Sequence, residues 1–421
     1  MSQHPITDEE ALAYHKNPHH GKVSVVPTTP MLTQRDLSLA YTPGVAVPCL
    51  EIQKDESKAY DYTSKGNLVA VISNGTAVLG LGDIGAMASK PVMEGKAVLF
   101  KKFSGIDSVD IEVDTHNIDY FCDTVAAIAG TFGGINLEDI KAPECFEIER
   151  RLIDRLSIPV MHDDQHGTAV ISAAGMINAC EIIGCEIEQM KVVVVGAGAA
   201  AISCARLYRY MGVKKIYMID SKGIVHHKRE DLNEQKKEFV VEEICCIEEA
   251  FKDANMVIGL SRPGTFGVEH VKLMAENPIV FTLANPTPEI FPDDVKKVRP
   301  DAIIGTGRSD FPNQVNNVLG FPFIFRGALD VRARGINTEM KIAAAHALAN
   351  LAKQEVPEYL NEVYDTKALK FGRNYIIPKP FDKRLVVEVS SAVAQAAIES
   401  GMSKMEDFDI QAYKKELGTR I

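Results

Sequence analysis

Residues 192–201 read Val192-Val-Val-Val-Gly-Ala-Gly-Ala-Ala-Ala201, and this run decides the fold class. Four consecutive valines suit a strand buried on both faces. Gly196 and Gly198 then turn the chain into a helix beginning near Ala199, whose exposed amides can meet a pyrophosphate. With Ala201 at the third small position, the run reads as a dinucleotide fingerprint. A second strand, 215–219, ends at Asp220, 22 residues beyond Gly198 (220 − 198), where an acid should reach an adenine ribose. Ser221 and Lys222 beside it, with Lys236 and Lys237 further on, offer positive charge and hydrogen bonds to a 2′-phosphate. The cofactor expected is therefore NADP, with NAD as the alternative.

Alternation continues outward. Strands are expected at 256–260, 279–283 and 302–304, with a helix at 233–251, and such a series builds a parallel, doubly wound sheet. On the N-terminal side a strand at 68–72 precedes a turn at Asn74-Gly75 and a further strand at 77–81. Asp110 to Asp114 alternates like a strand, 117–130 has helical spacing, and Arg150 to Leu156 ends another helix. A helix from Gly167 to Ile183, stopped by Gly184, joins the two halves. After residue 330 the chain reads as helical, most clearly over Thr338 to Gln354 and Leu385 to Ser400. The expectation is α/β: a substrate domain over 1–163, a Rossmann-like NAD(P)-binding domain over 164–330, and a helical region over 331–421 packing back on both.

A competing glycine series, Gly80-Leu-Gly82-Asp-Ile-Gly85, also follows an apolar strand. It runs into Pro91 with no clean βαβ unit behind it, so it is expected to be a tight turn in the substrate domain. Ahead of it lie a short helix at 8–20, surface histidines His19 and His20, and a proline-rich stretch in which Tyr41 stands beside a Pro43-Gly44 turn.

Two vicinal acid pairs, Glu138-Asp139 and Asp163-Asp164, lie 25 residues apart (163 − 138). One such pair alone is ordinarily a helix cap or a solvated surface. Asp163 and Asp164, however, follow the apolar run Ile158-Pro-Val-Met161, at what reads as the carboxyl end of a strand, where open α/β sheets bind ligands. An all-oxygen set of this kind suits magnesium or manganese. His162 and His166 flank the acids and are kept out of that shell.

The net charge of −11, from 46 basic and 57 acidic residues, and the lack of any long basic run exclude a nucleic-acid-binding surface. Eight cysteines without repeated spacing read as thiols in a reducing compartment, and the vicinal pair Cys245-Cys246 makes no relaxed disulfide. The N-terminus lacks the pattern of a secretory signal, and no apolar run approaches the ~20 residues of a membrane span. A cytoplasmic enzyme is expected.

Taken together, Tyr41-Thr-Pro-Gly-Val-Ala46, Gly80-Leu-Gly-Asp-Ile-Gly85, Gly95-Lys96, Leu137-Glu-Asp139, Asp163-Asp-Gln-His-Gly-Thr168, the nucleotide turn, Asn285-Pro-Thr287 and Asn316-Asn317 resemble the malic enzymes, in particular their short bacterial form. The match runs over nearly the full length. The resemblance implies oxidative decarboxylation of malate to pyruvate and carbon dioxide, with NADP or NAD and a divalent metal. It implies Glu138, Asp139 and Asp164 as metal ligands, Lys96 as general base, Tyr41 as general acid, and Asp163 holding the lysine. Asn285 and Asn317 would contact substrate and the nicotinamide end, and the chain would form a homodimer or higher homo-oligomer. Burial or the nearby cation would depress the pKa of Lys96 for its task. Taken alone, Lys96 would be an ordinary surface lysine, Tyr41 a packed tyrosine, and the two asparagines turn or cap residues.

Two departures stand out. Ala77 replaces the arginine that long forms of the family carry before the Leu-Gly-Leu-Gly turn, so another group must hold the substrate carboxylate or the pocket is more open. The acyltransferase-like C-terminal domain of some bacterial relatives does not follow Ile421, so regulation through it is not expected. Two other readings compete with the leading one: oxaloacetate decarboxylation as the main activity, and a regulatory homologue without turnover.

Overall fold

The computed structural model describes residues 6–78, 80–242, 246–366, 369–405 and 407–420. Two sheets carry the architecture. The first contains β1 (Leu68–Ser73), β2 (Asp107–Glu112), β3 (Gly134–Leu137) and β4 (Val160–His162), all parallel in the order β2-β1-β3-β4. The second contains β5 (Lys191–Val195), β6 (Lys215–Asp220), β7 (Gly223–Ile224), β8 (Met256–Gly259), β9 (Ile279–Thr282) and β10 (Ile303–Thr306). Its order is β10-β9-β8-β5-β6-β7, parallel except for β7 at the edge.

In each sheet the strand order reverses once, between β1 and β3 and again between β5 and β8. Helices leave opposite faces at such a point and open a crevice beyond the carboxyl ends of the strands. In the first sheet that crevice lies beside Glu138-Asp139, directly after β3. In the second it lies beside Gly196, directly after β5.

The helix Asp163–Ile183 ties the sheets together. It is small and apolar around most of its circumference, Ala169 to Ala174 being wholly buried, as a helix in the middle of a core must be. It packs on the helices Ala199–Tyr210 and Thr338–Lys353. Gly175 lets the Phe281 ring of β9 approach so closely that a Cβ would lie 2.9 Å from its Cζ. Gly184 caps the helix in a left-handed conformation, as its position suggested. The C-terminal helices Thr338–Lys353 and Arg384–Glu399 pack against each other.

Three expectations need correction. The strand at 77–81 does not form, and Leu79 lies outside the described residues. Instead Val78 bridges Gly82, and Gly80 and Gly82, at φ of 71° and 78°, reverse the chain at once. The turn reading of that glycine series is therefore the right one. The helix at 233–251 is two short pieces, Glu234–Lys237 and Ile247–Phe251, because Phe239 turns into the core and Val241 bridges His226. Residues 243–245, and with them the Cys245 half of the vicinal pair, lie outside the described residues. Finally, the central helix starts at Asp163 and not at Gly167, so both acids stand on its first turn.

The N-terminal arm is different in kind. Its helices Asp8–Lys16, Gln34–Ala40 and Ala46–Lys54 contain no buried residue, yet Val25, Leu32, Leu39, Tyr41 and Val47 are each more than half exposed.

Candidate active site

The acids converge where the first sheet's crevice faces the central helix. Glu138 leaves β3 with its N–H bonded to the Ile72 carbonyl at 3.0 Å, and its Oε2 accepts from the buried Asn136 amide at 2.8 Å. Asp139 adopts φ 52°, held by the Ala77 N–H donating to its carbonyl at 2.9 Å and by its own N–H donating to Asp164 Oδ2 at 2.7 Å. Ala77 thus serves this site through its backbone. One ligand atom each from Glu138, Asp139 and Asp164 lies within 4.8 Å of the others.

These carboxylates fit a dication. Burial, together with the charges of Asp164, Asp163 and Asp139, pushes the Glu138 carboxyl well above the ordinary range against the pull of Lys96. Burial and Asp164 push Asp139 up to about 8. Asp139 Oδ2 is buried without a hydrogen-bond partner among the described residues. An all-oxygen set whose members repel one another, two of them buried and Asp164 partly so, is what magnesium or manganese relieves. The histidines stay outside it. His162 is fully buried, and His166 Nε2 lies 2.9 Å from Glu149 while its Nδ1 meets Lys341 Nζ at 3.1 Å. Burial would raise the Glu149 carboxyl, but His166 and Lys341 outweigh it and hold the group near 2.

Lys96, in the middle of the helix Ala86–Ser104, reaches into the cluster. Its Nζ donates to Asp163 Oδ2 at 2.7 Å, lies 2.9 Å from Glu138 Oε1, and stands over the Phe321 ring at 4.4 Å. Burial works to lower its pKa, but Asp163, Glu138 and Asp164 outweigh burial and keep the ammonium well above the ordinary lysine range. Burial by itself therefore does not depress it. Asp163 is fully buried and shared, for Asn317 Nδ2 also donates to Oδ2 at 3.2 Å while its Oδ1 accepts from Thr168 at 3.0 Å. Asn317 thus steadies the partner of Lys96.

At the second crevice, Gly196 has φ 127° and a Cβ there would lie 2.4 Å from the Leu260 carbonyl, so only glycine fits beside β8. Gly198 caps the helix Ala199–Tyr210 and nothing lies within 4 Å of the place a Cβ would take; Ala201 is wholly buried. Asp220 is not a free ribose acceptor. Arg229 holds both its oxygens at 2.8 and 2.9 Å, Lys236 adds a contact at 2.7 Å, and the Lys222 N–H donates to Oδ1 at 2.9 Å. Burial opposes these cations, yet they bring the carboxyl down to about 2. Lys222 pairs with Asp231 at 2.9 Å, and Ser221 is exposed. Asn285 is exposed on the loop after β9, with Nδ2 2.7 Å from where a Gly307 Cβ would stand. A Cβ on Gly80 would lie 3.2 Å from Pro286 Cδ, so the glycine turn of the first half meets this loop.

Tyr41 is not brought to the cluster. It is 68% exposed on the N-terminal arm and makes no side-chain hydrogen bond to a described residue. Sequence reading also passed over Arg229, Phe321, Thr168, Glu149 and Lys341. Only Thr168 lies within a quoted motif, where it was given no role, and each acts through a contact made by folding.

A carboxylate triad beside a largely buried lysine, in a chain that also carries a dinucleotide crevice, defines a metal-dependent, nicotinamide-linked oxidoreductase. Residues 20–153 match the family of the malic enzyme N-terminal domain, and residues 165–366 that of the malic enzyme NAD binding domain. The chain belongs to the malic enzymes. It is 57% identical to the NADP-dependent malic enzyme of Halomonas elongata, over 94% of each chain. To the NADP-dependent malic enzyme of Escherichia coli it is 56% identical, covering 96% of this chain and 54% of that protein, so it spans about half the length of that relative. An NAD-dependent malic enzyme of Rhizobium meliloti is 52% identical. The crystal structure of malic enzyme from Pyrococcus horikoshii superposes with a TM-score of 0.89 at 42% identity, over 98% of this chain and 95% of that one. No helix among the described residues is long and apolar enough to cross a membrane.

Proposed function

We propose that the chain oxidatively decarboxylates (S)-malate to pyruvate and carbon dioxide in the cytoplasm, reducing NADP or, less well, NAD. Magnesium or manganese would be held by Glu138, Asp139 and Asp164. The observation carrying this reading is the Lys96 ammonium 2.7 Å from Asp163 and 2.9 Å from Glu138, at the edge of the carboxylate triad.

When bound, the cation supplies Lewis-acid polarisation of the substrate's C2 oxygen. With a dication on the three acids opposing the ammonium's charge, Lys96 Nζ is favoured as the neutral amine, and in that form it would accept the C2 hydroxyl proton as hydride leaves C2 for the nicotinamide. Asp163, steadied by Asn317 and Thr168, keeps Nζ aimed. The β-keto acid then loses its C4 carboxylate, and Tyr41 delivers a proton to C3, giving pyruvate. Gly196, Gly198 and Ala199 present the pyrophosphate site, and Asn285 and Asn317 border the nicotinamide end.

NADP is favoured by the surroundings of Asp220. Lys222, Arg229 and Lys236 face Asp220 and Asp231, leaving one positive charge in excess where a 2′-phosphate would lie. Ser221 stands exposed beside them.

The working unit we infer is a homodimer or higher homo-oligomer. Tyr41 lies on an arm that exposes apolar side chains and buries none of its own helices, so a second copy covering that arm would supply Tyr41 to its neighbour's acids. Division into 1–163, 164–330 and 331–421 belongs to the same proposal.

The test is reduction of NADP and, separately, NAD by L-malate with manganese, against a chelator control, with pyruvate assayed in parallel. Equal amounts of pyruvate and reduced cofactor, abolished by the chelator, are expected. Cofactor reduction without pyruvate would mean a simple dehydrogenase, and neither product would return the reading to a regulatory homologue.

A further inference from the structure

At the amino edge of the first sheet, opposite the acids, a cavity of about 880 Å³ opens beside the starts of β1 and β2, where Asn67 and Gly105 line it. Its volume is within the range of about 300–1,000 Å³ that holds a nucleotide-sized ligand. Six cations line it, Lys101, Lys102, Arg326, Arg332, Lys383 and Arg420, against two carboxylates, Asp330 and Asp382. In a chain of net charge −11, so one-sided a wall is a departure.

Only one of the two acids offsets it: Asp330 meets two cations of the wall, whereas Asp382 is taken up by Arg384, which lies outside the lining. Asp382 is held from behind by Arg384, at 2.7 and 3.0 Å, and Asp330 is engaged by Arg326, Arg420 and the Tyr413 hydroxyl. Lys101 and Arg332 have acidic partners, Asp107 and Asp61, that lie outside the lining. Lys102 and Lys383 make no ion pair with any described residue. Arg326 is 4% exposed and fixed by Asn67 Oδ1 at 2.6 Å and by Asp330, so the wall's back is rigid while its uncompensated charge comes from Lys102 and Lys383. Phe103 and the exposed Phe381 supply apolar surface between the cations.

We propose that this cavity binds a small organic polyanion, carrying two or more carboxylate or phosphate groups on a flat, partly apolar body. Cations converging on a half-enclosed space raise the local concentration of such an anion, and the rings bury its body. The site lies apart from the acid triad, yet the same two helices bound both. The helix Ala86–Ser104 carries Lys96 and then Lys101 and Lys102, and the helix Phe321–Asp330 carries Phe321 beneath Lys96 and then Phe323 and Arg326.

The probe is benzene-1,3,5-tricarboxylate, titrated calorimetrically into the full chain saturated with NADP, so that the nucleotide crevice is closed to it. One site per chain is expected, weakened at least tenfold in the double variant Lys102→Glu, Lys383→Glu and retained in Glu138→Gln. Retention in Glu138→Gln separates this site from the catalytic one, whatever becomes of the proposed reaction. Lys102→Ala alone, with smaller change to the surface, should weaken binding in the same direction. Absence of saturation, equal affinity in the double variant, or loss in Glu138→Gln would overturn the proposal. So would a fall in molecular mass of the double variant with probe affinity unchanged, for the cavity would then be a contact between copies.

Discussion

Lys96 Nζ and Asp163 Oδ2 are 2.7 Å apart, although 67 residues separate them in the chain. Asp163 lies outside the group of three carboxylates whose oxygens converge and is instead the buried anion that the lysine meets. Asp163→Asn keeps the shape and removes the charge. We expect kcat to fall about 10²-fold or more, in the range of a misplaced general base, and the metal-free Lys96 pKa to fall with it. Steady-state rates check the first and an NMR titration of the metal-free protein the second, and an unchanged rate would remove Asp163 from its role.

Gly167 faces the same carboxylate from one helical turn away. A Cβ there would lie 2.1 Å from Asp163 Oδ1 and 3.0 Å from Asn317 Cγ. Gly167→Ala should fold, because alanine favours helix, yet displace Asp163. A displacement of order 1 Å costs about 10²-fold in rate. Circular dichroism alongside kcat separates displacement from unfolding, and near-normal turnover would show that the cluster tolerates the methyl.

The stability of the metal-free chain should depend on pH through the acids. Asp139 has its folded pKa raised to about 8, and Glu138 is raised as well. A carboxyl raised on folding stabilises the fold below its unfolded pKa of about 4 and loses that contribution as pH rises through the folded value. Metal-free protein should therefore weaken between about pH 4 and about pH 8 on this account. Because a metal needs the deprotonated ligands, the gain in Tm on adding manganese should be larger near pH 8 than near pH 5. Thermal melts with manganese and with chelator measure this; a gain independent of pH would contradict it.

Arg229 and Lys236 are the residues expected to select the coenzyme. Replacing both by alanine frees Asp220 to repel a 2′-phosphate. Charge-assisted bonds contribute about 1.5–3 kcal/mol each, so the KM for NADP should rise at least about tenfold while that for NAD changes little or falls. Equal losses for both cofactors would indicate that the pair only supports the loop.

Tyr41 offers a test of assembly. Tyr41→Phe and Lys96→Ala should each be nearly inactive alone. If Tyr41 acts across the interface, a refolded equal mixture should recover about a quarter of wild-type activity, since half of randomly paired dimers are mixed and each holds one intact site. No recovery would place Tyr41 in its own chain's site.

Much of this site was legible in the chain. Glu138, Asp139, Asp163, Asp164 and the run around Gly196 are local signals, in which adjacent residues leave a strand at its carboxyl end. The failed strand at 77–81 and the broken helix at 233–251 show the limit. Both have plausible local patterns, and both lost to contacts made elsewhere, the Val78–Gly82 bridge and the burial of Phe239.

The amino-acid sequence by itself determined the α/β class, the dinucleotide turn and the acids, because period, turn chemistry and adjacent charge act within a few residues. Only the tertiary structure decided that Asp220 is already neutralised by Arg229, that Asn317 steadies Asp163, and that Lys96 meets Asp163 and Glu138 while Tyr41 stands apart. Those outcomes depend on distances between groups remote in the chain and on burial, which sets how strongly their charges act.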